Sequence, residues 1–171
     1  MQTKRALIAG FLVTIGAILL FLPAAAAAAQ LSIPPLATSA GKTVVVPLKI
    51  DAVDNLAGIK LTLQYDTSLL TFRHASKTRE TSSLMHVVNA RKPGRLIVVM
   101  AGAVGIKGKD FAILNLSFQV SPKITAAKTT QLQITEAQLM SDQLKTIPCT
   151  ISTAAMRITP AAAPSSTAAT Q

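Results

Sequence analysis

Two stretches of this chain alternate apolar and polar residues with a period of two, and nothing else in it constrains the fold as much. In Ile59-Lys60-Leu61-Thr62-Leu63-Gln64-Tyr65 the odd positions are apolar and the even ones polar. In the run from Phe111 to Val120, the residues Leu114, Leu116, Phe118 and Val120 share one parity. Successive side chains of a strand point to opposite faces, so each pattern describes a strand with one face buried and one face wet. No convincing amphipathic helix interrupts the region between them. Turn signals punctuate it instead: Pro34-Pro35, Gly41-Lys42, Asp66-Thr67-Ser68 and Lys92-Pro93-Gly94-Arg95. In the last, Pro93 presets the second turn position and Gly94 supplies a positive φ at the third.

The remaining strands follow from the same reading. Gln30 to Ile33 is expected as a first edge strand, and Thr43 to Ile50 as a strand whose Pro47 marks a sheet edge or a bulge. Asp51 to Leu56 (DAVDNL), Ala75 to Ser83 and the glycine-rich Gly102 to Lys109 are expected as loops, the last a flexible one. Leu84 to Ala90 and Leu96 to Ala101 flank the Pro-Gly turn as a hairpin. Thr129 to Ile134, Glu136 to Leu139 and Leu144 to Ile151 complete a set of roughly nine strands, the content of an all-β, two-sheet antiparallel sandwich or jelly roll. Leu96 to Ala101 (LIVVMA) is apolar on both parities. One set must face the core. The other must lie under a loop, against a partner or in water, and the sequence does not say which set is which.

Both ends read differently. Lys4 and Arg5 precede an uncharged apolar run, Ala6 to Leu22, which is followed by Pro23 and the small residues Ala24 to Ala29. Residues 1–29 are therefore expected to be a signal peptide cut near Ala29-Gln30, with an uncleaved membrane anchor as the alternative. Residues 160–171 (PAAAPSSTAATQ) carry no charge, aromatic ring or periodicity, and are expected as a disordered tail. Residues 30–159 are left as one domain. The localisation expected is secreted, periplasmic or cell-envelope, in a bacterium. A single cysteine, Cys149, cannot close an intrachain bridge and reads as a small buried hydrophobe. Without Lys4 and Arg5 the chain has 15 basic residues against 7 acidic, net +8, scattered rather than clustered. That balance suits an acidic partner or a solvated basic surface better than nucleic acid.

Chemistry is sparse. His74 and His86 have no carboxylate at ligand spacing, and a zinc site wants three or four ligands. DAVDN (Asp51 to Asn55) has half the pattern of a calcium loop but lacks its glycine and terminal glutamate, so it reads as a polar loop. No G-x-S-x-G elbow is present, and the glycines of 102–109 lack phosphate-loop spacing. No catalytic residue, metal ligand or cofactor is expected.

Val46-Pro47-Leu48, Leu56-Ala57-Gly58-Ile59 and Tyr65-Asp66-Thr67-Ser68-Leu69-Leu70, in that order, resemble the opening of a cohesin domain. Gly94 to Ala103 is similar to that family's central hairpin strand and small-residue loop, and Ala112 to Val120 to its later strand. The likeness spans Gln30 to Ile158. It implies a nine-stranded jelly-roll sandwich that binds a protein through one sheet face, in cellulosomes a dockerin module carrying its own calcium. The face it implies here comprises Gly58, Lys60, Thr62, Asn89, Ile97, Val99 and Ala103. Where dockerin-binding members carry an Asn and an Asp, this chain has Gly58 and Lys60, and an ammonium cannot accept a hydrogen bond. Any dockerin would therefore be held by a different contact set. A carbohydrate-binding module that binds polysaccharide and an envelope accessory domain of a pilus, secretin or adhesin are the alternatives. Scarce aromatics argue against the first.

Overall fold

The structure is a computed structural model and describes residues 28–161. The expected leader and tail lie outside the described residues, except for Ala28, Ala29, Pro160 and Ala161 at their inner ends. Eleven strands follow in chain order: β1 (Ala29–Ile33), β2 (Leu36–Ser39), β3 (Thr43–Gln64), β4 (Leu70–Lys77), β5 (Met85–Asn89), β6 (Arg95–Val120), β7 (Lys128–Gln131), β8 (Gln133–Met140), β9 (Thr146–Ile147), β10 (Cys149–Thr153) and β11 (Ala155–Thr159). They form an eight-stranded sheet with the path β10-β1-β3-β6-β4, to which β5, β8 and β9 add, and a three-stranded sheet β2-β11-β7. Pairing is antiparallel except for β1 with β10 and β2 with β11. The all-β sandwich read from the sequence is the observed architecture, with two short strands, β2 and β11, that the sequence reading missed. β1 lies between β10 and β3, so it is an interior strand rather than the expected edge.

The largest departure is the length of β3 and β6. Asp51 to Leu56 was expected as a loop, yet β3 runs through it; Gly102 to Lys109 was expected as a flexible loop, yet β6 runs through that. The two strands pair antiparallel from Thr43↔Gln119 to Gln64↔Arg95, with register irregularities between Leu48 and Lys49 and between Val53 and Gly58. The buried parity changes along this middle stretch, where Val53, Leu56 and Ala57 are all buried. Val44, Val46, Leu48 and Ile50 are buried before them, and Ile59, Leu61 and Leu63 after them. An extra residue in one strand rotates the following side chains to the other side of the ribbon. Here that keeps apolar residues on the core while the ribbon bends. Two glycines of the supposed flexible stretch serve close approach instead. A Cβ on Gly105 would run into the Asn55 side chain, and one on Gly108 would meet Phe111 Cε1 at 2.8 Å.

Other expectations hold in detail. In the Asp66 turn the Asp66 carboxylate accepts from Ser68 N at 2.8 Å and Ser68 Oγ at 2.6 Å. Those bonds hold its pKa below the ordinary aspartate value. Arg95 N donates to Lys92 O at 3.1 Å, and Gly94 has φ 79°. Pro47 pairs only with Asn115 of β6, and no strand flanks it on the other side among the described residues. The missing N–H costs no ladder bond at such an edge. The segment 75–83 is only partly a loop, since β4 extends to Lys77. Its remainder is fastened to β6 by Thr78 Oγ1 donating to Ala112 O at 2.7 Å and buried Thr81 Oγ1 donating to Ile113 O at 2.9 Å. Thr129 to Ile134 divides at buried Leu132 between β7 and β8, which belong to different sheets.

One core cluster joins Leu31, Val46, Leu48, Leu61, Leu63, Leu96, Val98, Leu116 and Phe118. Phe118 is fully buried, with Tyr65 and Phe72 edge-on to it at centroid distances of 5.1 and 5.6 Å. Truncating a buried aromatic removes its transfer free energy and leaves a cavity. Phe118→Ala is expected to cost about 3–5 kcal/mol in urea denaturation; a loss below about 1 kcal/mol would contradict this packing.

Candidate partner-binding face

Four strands lie side by side in the order β8-β3-β6-β5, and register fixes which side chains share their outer face. Core-facing Ile59, Leu61 and Leu63 on β3 and Leu96, Val98 and Met100 on β6 leave Gly58, Lys60, Thr62, Ile97, Val99 and Ala101 pointing outward. The doubly apolar strand thus buries its even positions and presents its odd ones. Adding β8 and β5 gives three rows across the face. The first is Met140, Gly58, Ala101, Met85; the second Gln138, Lys60, Val99, Val87; the third Glu136, Thr62, Ile97, Asn89.

Six of the seven residues read from the sequence, Gly58, Lys60, Thr62, Asn89, Ile97 and Val99, fall on this grid. Ala103 lies farther along β6, past the row of Ala101, exposed and with no ladder partner. Sequence reasoning missed Met85, Val87, Glu136, Gln138 and Met140. Met85 and Val87 share the parity of Asn89, so assigning the hairpin register would have found them. The β8 residues gave no such signal, because nothing in the sequence says that β8 pairs with β3.

The face is apolar where water would be expected. Met85 is 76% exposed, Val87 67%, Val99 44% and Met140 36%; Met85, Val87 and Val99 adjoin on β5 and β6, and Met140 stands at the β8 end of the first row across Gly58 and Ala101. Contiguous exposed apolar residues rimmed by polar ones mark interaction surfaces more often than scattered ones do. A hollow of about 360 Å³ opens over Gly58, lined among others by Val99, Ala101, Met140 and Leu144. Gly58 keeps it open, for a Cβ there would crowd the Met140 Cβ at 3.2 Å.

Charge at the centre is answered within the face. Lys60 Nζ lies 3.3 Å from Glu136 Oε1, and Thr62 Oγ1 donates to Glu136 Oε2 at 3.0 Å. The Thr62 hydrogen bond, followed by the Lys60 contact, holds the Glu136 carboxyl below its ordinary pKa. The end of the face beyond Gly58 is fastened by Asp142. Its Oδ1 accepts from Asn55 Nδ2 at 2.7 Å, and its Oδ2 from Gly105 N at 3.4 Å. Asn55 of the half calcium-loop pattern is thus committed to a structural bond, and Asp54 pairs with Lys107 at 2.6 Å. Among the described residues no three His, Cys, Asp or Glu side chains converge. His74 and His86 sit on different strands, β4 and β5. Cys149 is half-buried, and burial pushes its thiol pKa up.

Comparison with known proteins bears on this geometry. The Cohesin domain family profile matches residues 29–158. No curated protein sequence matches the chain. Among solved structures, the chain is similar to a non-cellulosomal cohesin from the hyperthermophilic archaeon Archaeoglobus fulgidus, with TM-score 0.69 and 19% identity over 77% of this chain and 91% of that one. It is also similar to a novel type I cohesin–dockerin complex (Coh-OlpC-Doc435) from Clostridium thermocellum, with TM-score 0.70 and 18% identity over 78% of this chain and 94% of that one. The sixth cohesin of Acetivibrio cellulolyticus scaffoldin B, solved with a Cel5 dockerin, gives TM-score 0.67 and 17% identity over 78% and 99%. At these identities the likeness to the solved structures speaks for the fold alone.

The lowered pKa of Glu136 sets a sign for pH dependence. Its contribution to stability is fully present above the unfolded value, near 4.5, and is lost as pH falls through the lower folded value. A carbon-detected NMR titration is expected to find the Glu136 midpoint below that of a free glutamate, and to find it raised in Thr62→Ala and in Lys60→Ala. An unchanged midpoint in both variants would show that this trio does not form in solution.

Proposed function

Because this chain belongs to the cohesin family, a family of protein-binding modules, we propose that it is an exported module that binds a dockerin-type protein through the outer face of β8-β3-β6-β5. The observation that carries the reading is the exposed apolar surface of Met85, Val87, Val99 and Met140 on the outer face of these four strands. The β3 and β6 backbones at its centre are paired on both sides, so a ligand lying over them must be gripped by side chains, and apolar burial is the main source of affinity they offer. Lys60 stands where dockerin-binding relatives are expected to have an acceptor. Glu136, on β8 in the adjoining row, places an acceptor 3.3 Å from the Lys60 ammonium.

Export is supported by Lys4 and Arg5, the apolar run to Leu22 and the small residues up to Ala29. The binding reading is favoured over a carbohydrate module by the placement of the aromatics. All four in the described residues, Tyr65, Phe72, Phe111 and Phe118, are buried or half-buried, and no exposed ring offers a sugar a stacking platform.

The test is calorimetric titration of the chain with calcium-loaded dockerin modules, with Val99→Lys as the control. Val99 is exposed, so the variant is expected to keep the circular dichroism and melting of the parent. It is expected to weaken binding at least about tenfold, which is about 1.4 kcal/mol. Calcium-independent binding, or binding indifferent to Val99→Lys, would place the contact elsewhere.

A further inference from the structure

We infer that the leader is cut inside the alanine run upstream of Ala29, so that the exported chain keeps Ala29 as the first residue of its core. The inference rests on the export reading above and assigns what that reading leaves open, the place of the cut. The step is a hydrolysis. Water adds across one peptide bond, leaving a carboxylate on the leader and an ammonium on the exported chain.

The alanine run is ambiguous by itself. A leader peptidase selects small side chains at the first and third positions before the scissile bond. Ala24 to Ala29 satisfies that rule for a cut after Ala26, Ala27, Ala28 or Ala29. Only the last of these removes Ala29. Side chains in the run are identical, so what separates the four cuts is what the fold retains.

The fold uses Ala29. It opens β1, where it pairs with Cys149 of β10. Its N–H donates to Pro148 O at 2.8 Å, at the joint between β9 and β10. Its side chain is 4% exposed and lies in the same core cluster as Leu31 and Ile33, the following residues of its parity. It also walls a hollow of about 660 Å³ beside Val53, Gly108 and Ile147. Ala28, by contrast, is exposed and belongs to no strand. The border between residues that the fold needs and residues that it does not therefore falls between Ala28 and Ala29.

A cut after Ala29 would strip Pro148 O of that donor and widen the hollow over Val53 and Ile147. What it would create does not compensate. Gln30 N lies 2.7 Å from Asp51 Oδ1, so a new ammonium there would meet a carboxylate. That contact is exposed, and the same oxygen already accepts from Ala52 N at 2.6 Å. Exposed ion pairs contribute little. A cut directly before Ala29 keeps the Pro148 bond, because a terminal ammonium is still a donor. Cuts farther upstream keep the amide itself, and with it a first strand tied into the sheet.

The test is expression of the full chain from Met1 in a bacterial host, with fractionation, intact-mass measurement and amino-terminal sequencing of the exported product. Ala29→Ser is the reporter, since serine is small enough for the peptidase at either selected position. The exported product is expected to begin within the alanine run, at or before residue 29. In the variant it is expected to carry the substituted residue and to melt about 2 °C or more below the parent, because a hydroxyl enters the core. A product that begins at Gln30 or later, with the same mass in parent and variant, would overturn this inference while leaving export intact. So would a membrane-held chain that keeps its apolar run. Full-length chain found only inside the cell would overturn both.

Discussion

The long antiparallel ladder between β3 and β6 is the constraint on which the rest depends. It runs from Thr43↔Gln119 to Gln64↔Arg95, and every other strand of the large sheet attaches to it directly or through one neighbour. Its first half, flanked by β1 and β4, carries Val46, Leu48, Leu114 and Leu116 into the core; its second half, flanked by β8 and β5, carries Ile59, Leu61, Val98 and Met100 into the same core. Two separate hairpins could not hold those halves in fixed relation. The parity switch near Val53 to Gly58 lets one ribbon serve both, and Asn55, Gly105 and Asp142 lock it there.

The same ladder explains why an apolar outer face survives. In a half-buried strand the outward parity is ordinarily polar, and on β3 it is: Lys60, Thr62 and Gln64. On β6 and β5 the outward parity is Ile97, Val99, Ala101, Met85 and Val87. Met85, Val87 and Val99 are exposed there, so much of their apolar surface gains no burial within the domain. A stretch such as Ile97-Val98-Val99 is also an aggregation hazard while unpaired during folding. Without Lys4 and Arg5 the chain carries a net charge of +8, and that repulsion opposes self-association through such a face.

Legibility followed locality. Period-two alternation at Ile59 to Tyr65, the Asp66 and Pro93-Gly94 turns and the edge position of Pro47 were all readable, because each depends on a few neighbouring residues. DAVDN and GAVGIKGK read as loops because polar residues and glycines signal turns locally. Their continuation as strand is decided by each other across the ladder, and Gly105 and Gly108 are needed for close approach rather than for freedom. Six of the seven face residues were readable through hairpin parity and family likeness. Glu136, Met140 and Leu144 were not, since the pairing of β8 with β3 joins residues more than 70 positions apart.

Register is therefore the claim to test. Cross-strand nuclear Overhauser contacts between backbone protons of Lys60 and Val99, together with those between Lys60 and Gln138, report it directly. The account predicts both in the same molecule, alongside contacts of Val46 with Leu116 in the other half of the ladder. Contacts of Lys60 with Val98 instead would mean a one-residue slip; Ile97 and Val99 would then turn inward, and the outer face proposed for docking would not exist.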